Sequence, residues 1–322
     1  MAVSFWFGGI VRFVLLIFMM FPFMASANML PLYDALRATY TACVGIDDEL
    51  ADLKKMAGIN TAVTVVGTAA GIGATVTGLV KSSKDKQIEQ LEMERLRKIS
   101  ESGTNSNASN GKIEDNLLAI QNYYDAHKND TPVSDIDTEI DKLTEQSKKL
   151  GNWRTGLLAG STGTNIAGAA ISGTNKVGVG LKEQINSCIS AVDSLQQSIM
   201  QARLNGEDIT EAQSIIEACK EYKYVDVSPI DDRAKGAMIS SVVGATTGLA
   251  GTITSATANT NKTRKNNTDS GKQKEKNLNT AANVLSGVTT AASATATGFN
   301  AAQISAIKKV AEVAEKCTGV LK

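Results

Sequence analysis

The sequence TGLLAGSTGTNIAGAAISGTN, residues 155–175, decides the fold prediction. It has no charged side chain, and Gly156, Gly160, Thr164, Gly168 and Ser172 recur at every fourth position. A four-residue period lines one side of an α-helix and drifts slowly around it. Glycine costs about 1 kcal/mol more than alanine in a helix interior, so such a helix needs compensation. Close packing against another helix supplies it, because small side chains let the two backbones approach.

Three further uncharged segments, residues 61–80, 236–261 and 277–307, share this four-residue period. The pattern looks like a glycine zipper, which is a mode of helix packing and not a protein family. Short strands and turns of a β-solenoid are the alternative, but helical patterns flank all four segments. The predicted helix-packing residues are Gly67, Gly71, Ala74, Gly78, Gly156, Gly160, Gly168, Gly244, Gly248, Ala294 and Gly298.

Amphipathic patterns around these segments predict an all-α fold of elongated helical hairpins. Residues 31–56 and 181–199 carry apolar side chains at three- and four-residue steps, which is typical of helices. We expect a helix break at Gly58-Ile59-Asn60 and a turn at Asn205-Gly206. Residues 136–150 carry a narrow apolar stripe that resembles a coiled-coil seam.

The order of segments predicts an internal duplication. Each half runs from a cysteine-bearing helix through a small-residue segment, a charged connector and a second small-residue segment to another cysteine-bearing helix. The first hairpin unit is residues 28–205, with its charged connector at 81–154. The second is residues 206–322, with a basic connector at 262–276.

Residues 1–27 are predicted to be a cleaved signal peptide. Phe13–Met24 is an uncharged apolar run, and Ala25-Ser26-Ala27 fits the small-x-small cleavage pattern. The alternative, an uncleaved membrane anchor, is disfavoured because a spanning helix needs about 20 apolar residues. Six of the seven phenylalanines lie in this leader, so the exported chain must build its core almost without aromatic side chains. We expect a periplasmic, cell-surface or secreted protein.

The four cysteines, Cys43, Cys188, Cys219 and Cys317, predict two disulfides in an exported chain. In antiparallel hairpins, pairing Gly236 with Asn300 places Cys219 opposite Cys317. Pairing Asn60 with Asn175 places Cys43 about one helical turn from Cys188. We therefore prefer Cys43–Cys188 with Cys219–Cys317. The rival, Cys188–Cys219 with Cys43–Cys317, fits almost as well around the Asn205-Gly206 turn.

Neither the composition nor the motifs indicate catalysis or nucleic-acid binding. The chain has 33 basic and 33 acidic side chains, without the basic excess of a nucleic-acid binder. His127 is the only histidine and lies in a polar stretch, where it is typically solvated. No HExxH or phosphate-binding loop is present. We expect no enzyme activity, cofactor, metal or small-molecule substrate.

These observations predict an exported, non-enzymatic structural or interaction protein of the cell envelope or extracellular space, which self-associates through small-residue helix faces. The alternative is a membrane-active protein whose hairpins insert into a bilayer and oligomerise. Ala62–Val80 is near the hydropathy of a membrane span, whereas the other three segments contain more Thr, Ser and Asn. On sequence alone we favour a water-soluble bundle or rod.

Overall fold

The computed structural model describes residues 30–103, 131–260 and 269–321. These residues are almost entirely helical and contain no strand, as the sequence predicts. The α-helices are α1 (Leu30–Cys43), α2 (Ile46–Gly103), α3 (Thr131–Thr174), α4 (Val179–Leu204), α5 (Thr210–Cys219), α6 (Ser228–Ala258) and α7 (Asp269–Leu321), and a 3₁₀ helix covers Lys220–Tyr224. The predicted signal peptide and His127 lie outside the described residues.

Two expected features of the first helices are wrong. The predicted helix 31–56 is divided at Gly45, whose φ of 95° is strained for any residue with a side chain. The predicted break at Gly58-Ile59-Asn60 is absent, and α2 runs through it. Asn60 is fully buried and its Nδ2 donates to Ser172 Oγ at 2.6 Å. Because its side chain has this partner on another helix, it does not compete with the backbone hydrogen bonds of its own helix.

The chain divides into two compact units. The described residues of unit 1 are 30–59, 174–235 and 300–321, and those of unit 2 are 60–103, 131–173, 236–260 and 269–299. The turn at Asn205-Gly206 is confirmed, with Gly206 at a φ of 77°. The two hairpin units predicted from the sequence divide at this turn, whereas each compact unit contains residues from both sides of it. The internal duplication stays a prediction.

Unit 1 has a conventional apolar core. The aliphatic side chains of Ile46, Leu50, Leu195, Ile230 and Ile307 are fully buried in it. The same cluster contains all four cysteines, so the disulfides lie in the centre of the packed helices. Burial of this kind contributes about 1.5–3 kcal/mol for each large aliphatic side chain, relative to leaving it exposed.

The preferred disulfide pairing is confirmed. Cys43 bonds Cys188 with an S–S distance of 2.00 Å, and Cys219 bonds Cys317 at 1.98 Å. The sulfurs of Cys43, Cys188 and Cys317 all lie within 4.8 Å of one another. This proximity explains why two pairings fit the sequence almost equally well, because the helices bring all four cysteines to one place. Disulfides that persist in a folded protein fit an oxidising compartment.

Tyr222 is a buried polar group in this apolar core. It is fully buried, and its hydroxyl has no hydrogen-bond partner among the described residues. Burial, together with the nearby negative charge of Asp47, raises the pKa of Tyr222 above its usual value. The neutral phenol is therefore the form that the folded state stabilises.

We predict that Tyr222→Phe removes an alkaline instability. When a tyrosine has a raised pKa in the folded state, the protein keeps its full stability below about pH 10. It loses stability as the pH rises further, because the tyrosine ionises more readily in the unfolded chain. At pH 7 the variant should be equally stable or slightly more stable, since it loses an unbonded buried hydroxyl. Thermal unfolding at pH 7 and above pH 10 tests this. Tyr224→Phe, at an 83% exposed position, is the matched control and should show no such difference. An equal response of both variants to alkali would contradict the assignment.

Candidate functional site

The four small-residue segments come together in unit 2. We call this region the small-residue bundle, comprising residues 60–81 of α2, 147–173 of α3, 236–258 of α6 and 279–299 of α7. Its buried positions alternate in steps of four and three along each helix. They are 60, 64, 67, 71, 74, 78 and 81 on α2; 147, 151, 154, 158, 161, 165, 168 and 172 on α3; 237, 241, 244, 248, 251, 255 and 258 on α6; and 279, 282, 286, 289, 293 and 296 on α7, with the adjacent Thr162 and Ala292 buried in addition.

The interior of the small-residue bundle is made of small and polar side chains. At the positions just given, Leu158 is the only large aliphatic residue. Glycine, alanine and serine occupy most of the others, and Asn60, Thr64, Asn165 and Thr289 are also buried there. An interior of this composition buries little apolar area, so the hydrophobic effect contributes far less to its packing than it does in unit 1.

Glycines bring the helices of the bundle into close contact. A Cβ atom placed on Gly71 would lie 3.2 Å from Thr290 Cα, a backbone atom of α7. One on Gly244 would lie 2.8 Å from the Asn165 side chain, and one on Gly248 would lie 2.5 Å from Thr162 Oγ1. Ser161 Oγ donates directly to the carbonyl oxygen of Gly67 at 2.9 Å. The missing side chains are therefore what lets these helices meet.

Short polar side chains form hydrogen bonds between the helices. Asn165 Nδ2 donates to Ser293 Oγ at 2.8 Å. The interhelical hydroxyl pairs are Thr75 with Ser286 at 2.9 Å, Thr155 with Ser255 at 2.9 Å and Thr247 with Thr289 at 3.0 Å. Hydroxyls such as Thr162 Oγ1 also donate to the carbonyl four residues earlier on their own helix. Most buried hydroxyls thus have partners without water, which is the condition for burying them at low cost.

The predicted helix-packing residues fall into two groups. Gly67, Gly71, Ala74, Gly78, Gly168, Gly244 and Gly248 are buried in the bundle, whereas Gly156, Gly160, Ala294 and Gly298 are exposed. A Cβ on Gly156, Gly160 or Gly298 would meet no described atom within 4 Å. The reason is geometric: residues four apart rotate about 40° further around the helix at each step, so a strict four-residue series cannot stay on the buried face along its whole length.

We predict that substitution by alanine has opposite effects on stability at a buried and at an exposed glycine. Gly71→Ala should destabilise the chain by about 1–3 kcal/mol, because the new methyl group is forced against the α7 backbone. Gly160→Ala should stabilise it by about 0.5–1 kcal/mol, because alanine favours the helix and meets open space. Denaturant unfolding followed by circular dichroism measures both. Equal effects of the two substitutions would show that the helices do not approach at Gly71.

Large apolar side chains cover the outside of the bundle. Val66, Ile72, Leu79, Ile239 and Ile253 are each 51–60% exposed. The other exposed large apolar residues here are Val65, Val76, Val80, Trp153, Ile166, Val242, Val243, Leu249, Val284, Val288 and Phe299. Two described helical stretches, Pro31–Ile99 and Ser228–Ala258, each contain an 18-residue window apolar enough to cross a membrane, and only 28% of each window is buried. Burial inside the protein therefore does not account for their apolar character.

Charged and amide side chains gather at one end of the bundle. Lys81 is 1% exposed and contacts Asp85 at 2.7 Å and Glu275 at 3.6 Å. The same Asp85 carboxylate accepts hydrogen bonds from the Ser147 hydroxyl and from Asn279 Nδ2 at 3.5 Å. The two oxygens of Asp85 are thus engaged by residues of three helices.

Arg154 directly precedes the uncharged segment of α3, and its environment differs from that of Lys81. It is 1% exposed, and its Nε and Nη2 have no hydrogen-bond partner among the described residues. Burial lowers the pKa of Arg154 to about 10, so the guanidinium stays charged at neutral pH. Arg154 is not among the site residues predicted from the sequence. The signal was its seven-residue spacing, since Ser147, Arg154, Ser161 and Gly168 all lie on the buried face of α3.

Comparison of the chain with protein-family models, with curated proteins and with solved structures found no match.

Proposed function

We propose that this chain is an exported, non-enzymatic structural or interaction protein of the cell envelope, anchored by a small-residue bundle that lies in a lipid bilayer. The observation that carries the proposal is the reversed distribution of side chains in the small-residue bundle. Small and polar residues are inside it, and every valine, isoleucine and leucine of the bundle except Leu158 is partly or largely exposed. In water, apolar surface on this scale is unfavourable and marks an interaction site. In lipid it is the favoured surface.

The lengths of the uncharged segments suit a bilayer. Residues 56–80, 155–175, 236–261 and 277–307 contain no charged side chain, and the shortest has 21 residues. A helix of 20 residues is about 30 Å long, which matches the hydrocarbon core. Within residues 30–103, 131–260 and 269–321, two helical stretches are apolar enough to span on their own. The more polar α3 and α7 would be carried by packing against α2 and α6, to which their serines and threonines are hydrogen-bonded.

The position of Trp153 supports the same arrangement. It is 70% exposed and directly precedes Arg154 and the uncharged segment of α3. Tryptophan is enriched at the boundary between the apolar core of a membrane and water, where its ring and N–H group suit both environments. Unit 1, in contrast, has the apolar interior of a domain that folds in water.

Glycine-zipper-like packing in the proposal has two roles. The buried glycines pack the four helices against one another. The outward Gly156, Gly160, Ala294 and Gly298 leave small-residue faces on α3 and α7, where large apolar side chains are few. In lipid, such faces favour association between helices of separate molecules, because close contact and not apolar burial drives it. Self-association through these two faces is therefore the second part of the proposal.

Flotation tests the bilayer proposal. The full chain is mixed with liposomes and centrifuged through a density gradient, and we expect the wild type to float. Ile72→Lys combined with Leu249→Lys places charges on the outer faces of α2 and α6 and should reduce flotation strongly, because a lysine at mid-bilayer costs about 3 kcal/mol. Leu204→Lys, at an 87% exposed position of unit 1, is the matched control and should float normally. A wild type that stays in the aqueous fraction with every lipid composition would end the proposal.

Cross-linking in the same vesicles tests self-association separately. The wild type should give oligomers, and Gly160→Leu should reduce them several-fold by holding α3 away from its neighbour. Ala62→Leu enlarges an exposed small residue of α2 and is the control, with oligomers expected as in the wild type. Vesicle-bound wild type that stays monomeric would remove this second part and leave the bilayer anchor intact.

A further inference from the structure

Positive charge is in excess on the surface of the bundle at its charged end. The helical turns next to the uncharged segments contain nine basic and three acidic side chains, counted over residues 81–86, 145–154 and 272–276. Two of the three acids, Asp85 and Glu275, contact Lys81, which is 1% exposed. Their negative charge is therefore compensated by a buried lysine, and the lysines around them keep a net positive charge.

These lysines lie at one level of the bundle, on three helices. Ser147 donates to Asp85, and Lys81 contacts Asp85 and Glu275, so these contacts bring α2, α3 and α7 to a common level. Residues one or two positions from such inward side chains point about 100–200° away around the helix, toward the outside. Here those neighbours are lysines, and we call them the lysine belt: Lys84, Lys86, Lys148, Lys149, Lys274 and Lys276. All are exposed except Lys84, which is half-buried.

The lysine belt has few acidic partners. Among the described residues, no carboxylate forms an ion pair with Lys84, Lys148 or Lys274. Lys149 pairs with Glu145 at 2.8 Å, but both side chains are about 70% exposed. Ion pairs that are so exposed contribute little and are screened by salt. The lysine belt can therefore interact with anions outside the protein.

The position of the lysine belt matches the boundary of the proposed bilayer. Lys276 directly precedes the uncharged residues 277–307, and Lys84 comes four residues after the uncharged segment of α2 ends. On α3, Trp153 follows Lys149 by four residues, which makes the two side chains neighbours on the helix surface. Tryptophan is typical of the boundary between hydrocarbon and water. The lysines thus lie where the headgroups of a bilayer around the bundle would be.

We propose that the lysine belt binds the anionic phospholipid headgroups of this bilayer. The inference rests on the proposed placement of the bundle in lipid and names the lipid class that the bundle prefers. A lysine near an anionic membrane surface gains about fivefold in affinity. Lysines at one level on three helices match the plane of a membrane surface. A single-stranded nucleic acid would instead require a groove with interleaved aromatic side chains, and the lysine belt contains none.

Quenching of Trp153 by brominated lipids tests this preference. The full chain with Trp6→Phe, in which Trp153 is the only tryptophan, is reconstituted in vesicles of equal parts phosphatidylglycerol and phosphatidylcholine. One of the two lipids carries bromine on its acyl chains. We expect stronger quenching when phosphatidylglycerol is the brominated lipid, corresponding to a preference of about fivefold near Trp153. High salt should reduce the preference, because it screens exposed charges.

Two triple variants make the assignment specific. The preference should fall to about one in the variant that combines Lys84→Gln, Lys148→Gln and Lys149→Gln. The matched control removes the same number of charges from lysines of unit 1 that are more than half exposed, and it should keep the wild-type preference: Lys220→Gln, Lys308→Gln and Lys316→Gln.

The outcomes separate this inference from the proposed function. Equal quenching by the two lipids in the wild type, or an unchanged preference in the lysine-belt variant, would overturn the lipid preference and leave the bilayer placement intact. The lysines would then serve only as a solvated surface. The absence of quenching by either lipid would overturn both the lysine-belt inference and the bilayer placement.

Discussion

Contact between helix backbones at glycine is the constraint on which the small-residue bundle depends. At Gly71 the position of a single missing methyl group lies 3.2 Å from the α7 backbone. This approach brings Thr75 within hydrogen-bonding distance of Ser286, and the equivalent approach at Gly67 lets Ser161 reach a backbone carbonyl. If the helices stood further apart, these hydroxyls would lose their partners. Dispersion contacts and interhelical hydrogen bonds thus replace apolar burial as the source of stability.

The two units solve the packing problem in opposite ways. Unit 1 buries aliphatic side chains and joins its helices with two disulfides in the core. Cross-links over separations of 145 and 98 residues restrict the unfolded chain strongly, and in the loop-entropy description each contributes about 4–5 kcal/mol. The small-residue bundle of unit 2 instead has Leu158 as the one large aliphatic side chain buried among its described residues, and its other large aliphatic side chains are partly or largely exposed. The same chain therefore combines an apolar interior in unit 1 with an apolar exterior on the small-residue bundle. This contrast is the physical basis of the proposed membrane anchor.

Much of the fold could be predicted from the sequence, because the relevant signals are local or periodic. The helices follow from apolar spacing, and the disulfide pairing follows from the antiparallel register. Asn60 lies opposite Ser172 and not Asn175, and this three-residue correction reduces the offset expected between Cys43 and Cys188 from four residues to one. The break at Gly45 was missed because one glycine within an apolar repeat does not reveal its φ. The face of each small residue was also missed, since a four-residue series moves around the helix: on α3 it begins exposed at Gly156 and Gly160 and reaches the buried face at Gly168. Arg154 was missed because the residue pattern of α3 alone does not show that the other described helices provide no hydrogen-bond partner for its Nε and Nη2.

Fluorescence quenching of Trp153 tests whether the small-residue bundle lies in a lipid bilayer. With Trp6 replaced by phenylalanine, Trp153 is the only tryptophan of the chain. Vesicles that contain lipids brominated at different depths quench tryptophan by contact, and aqueous acrylamide quenches it from the solvent. If the bundle lies in the bilayer, we expect strong quenching by bromines near the headgroups, weaker quenching by bromines at the bilayer centre, and protection from acrylamide. Full quenching by acrylamide with none by any brominated lipid would contradict it, and would leave the apolar exterior of the bundle to be covered by protein.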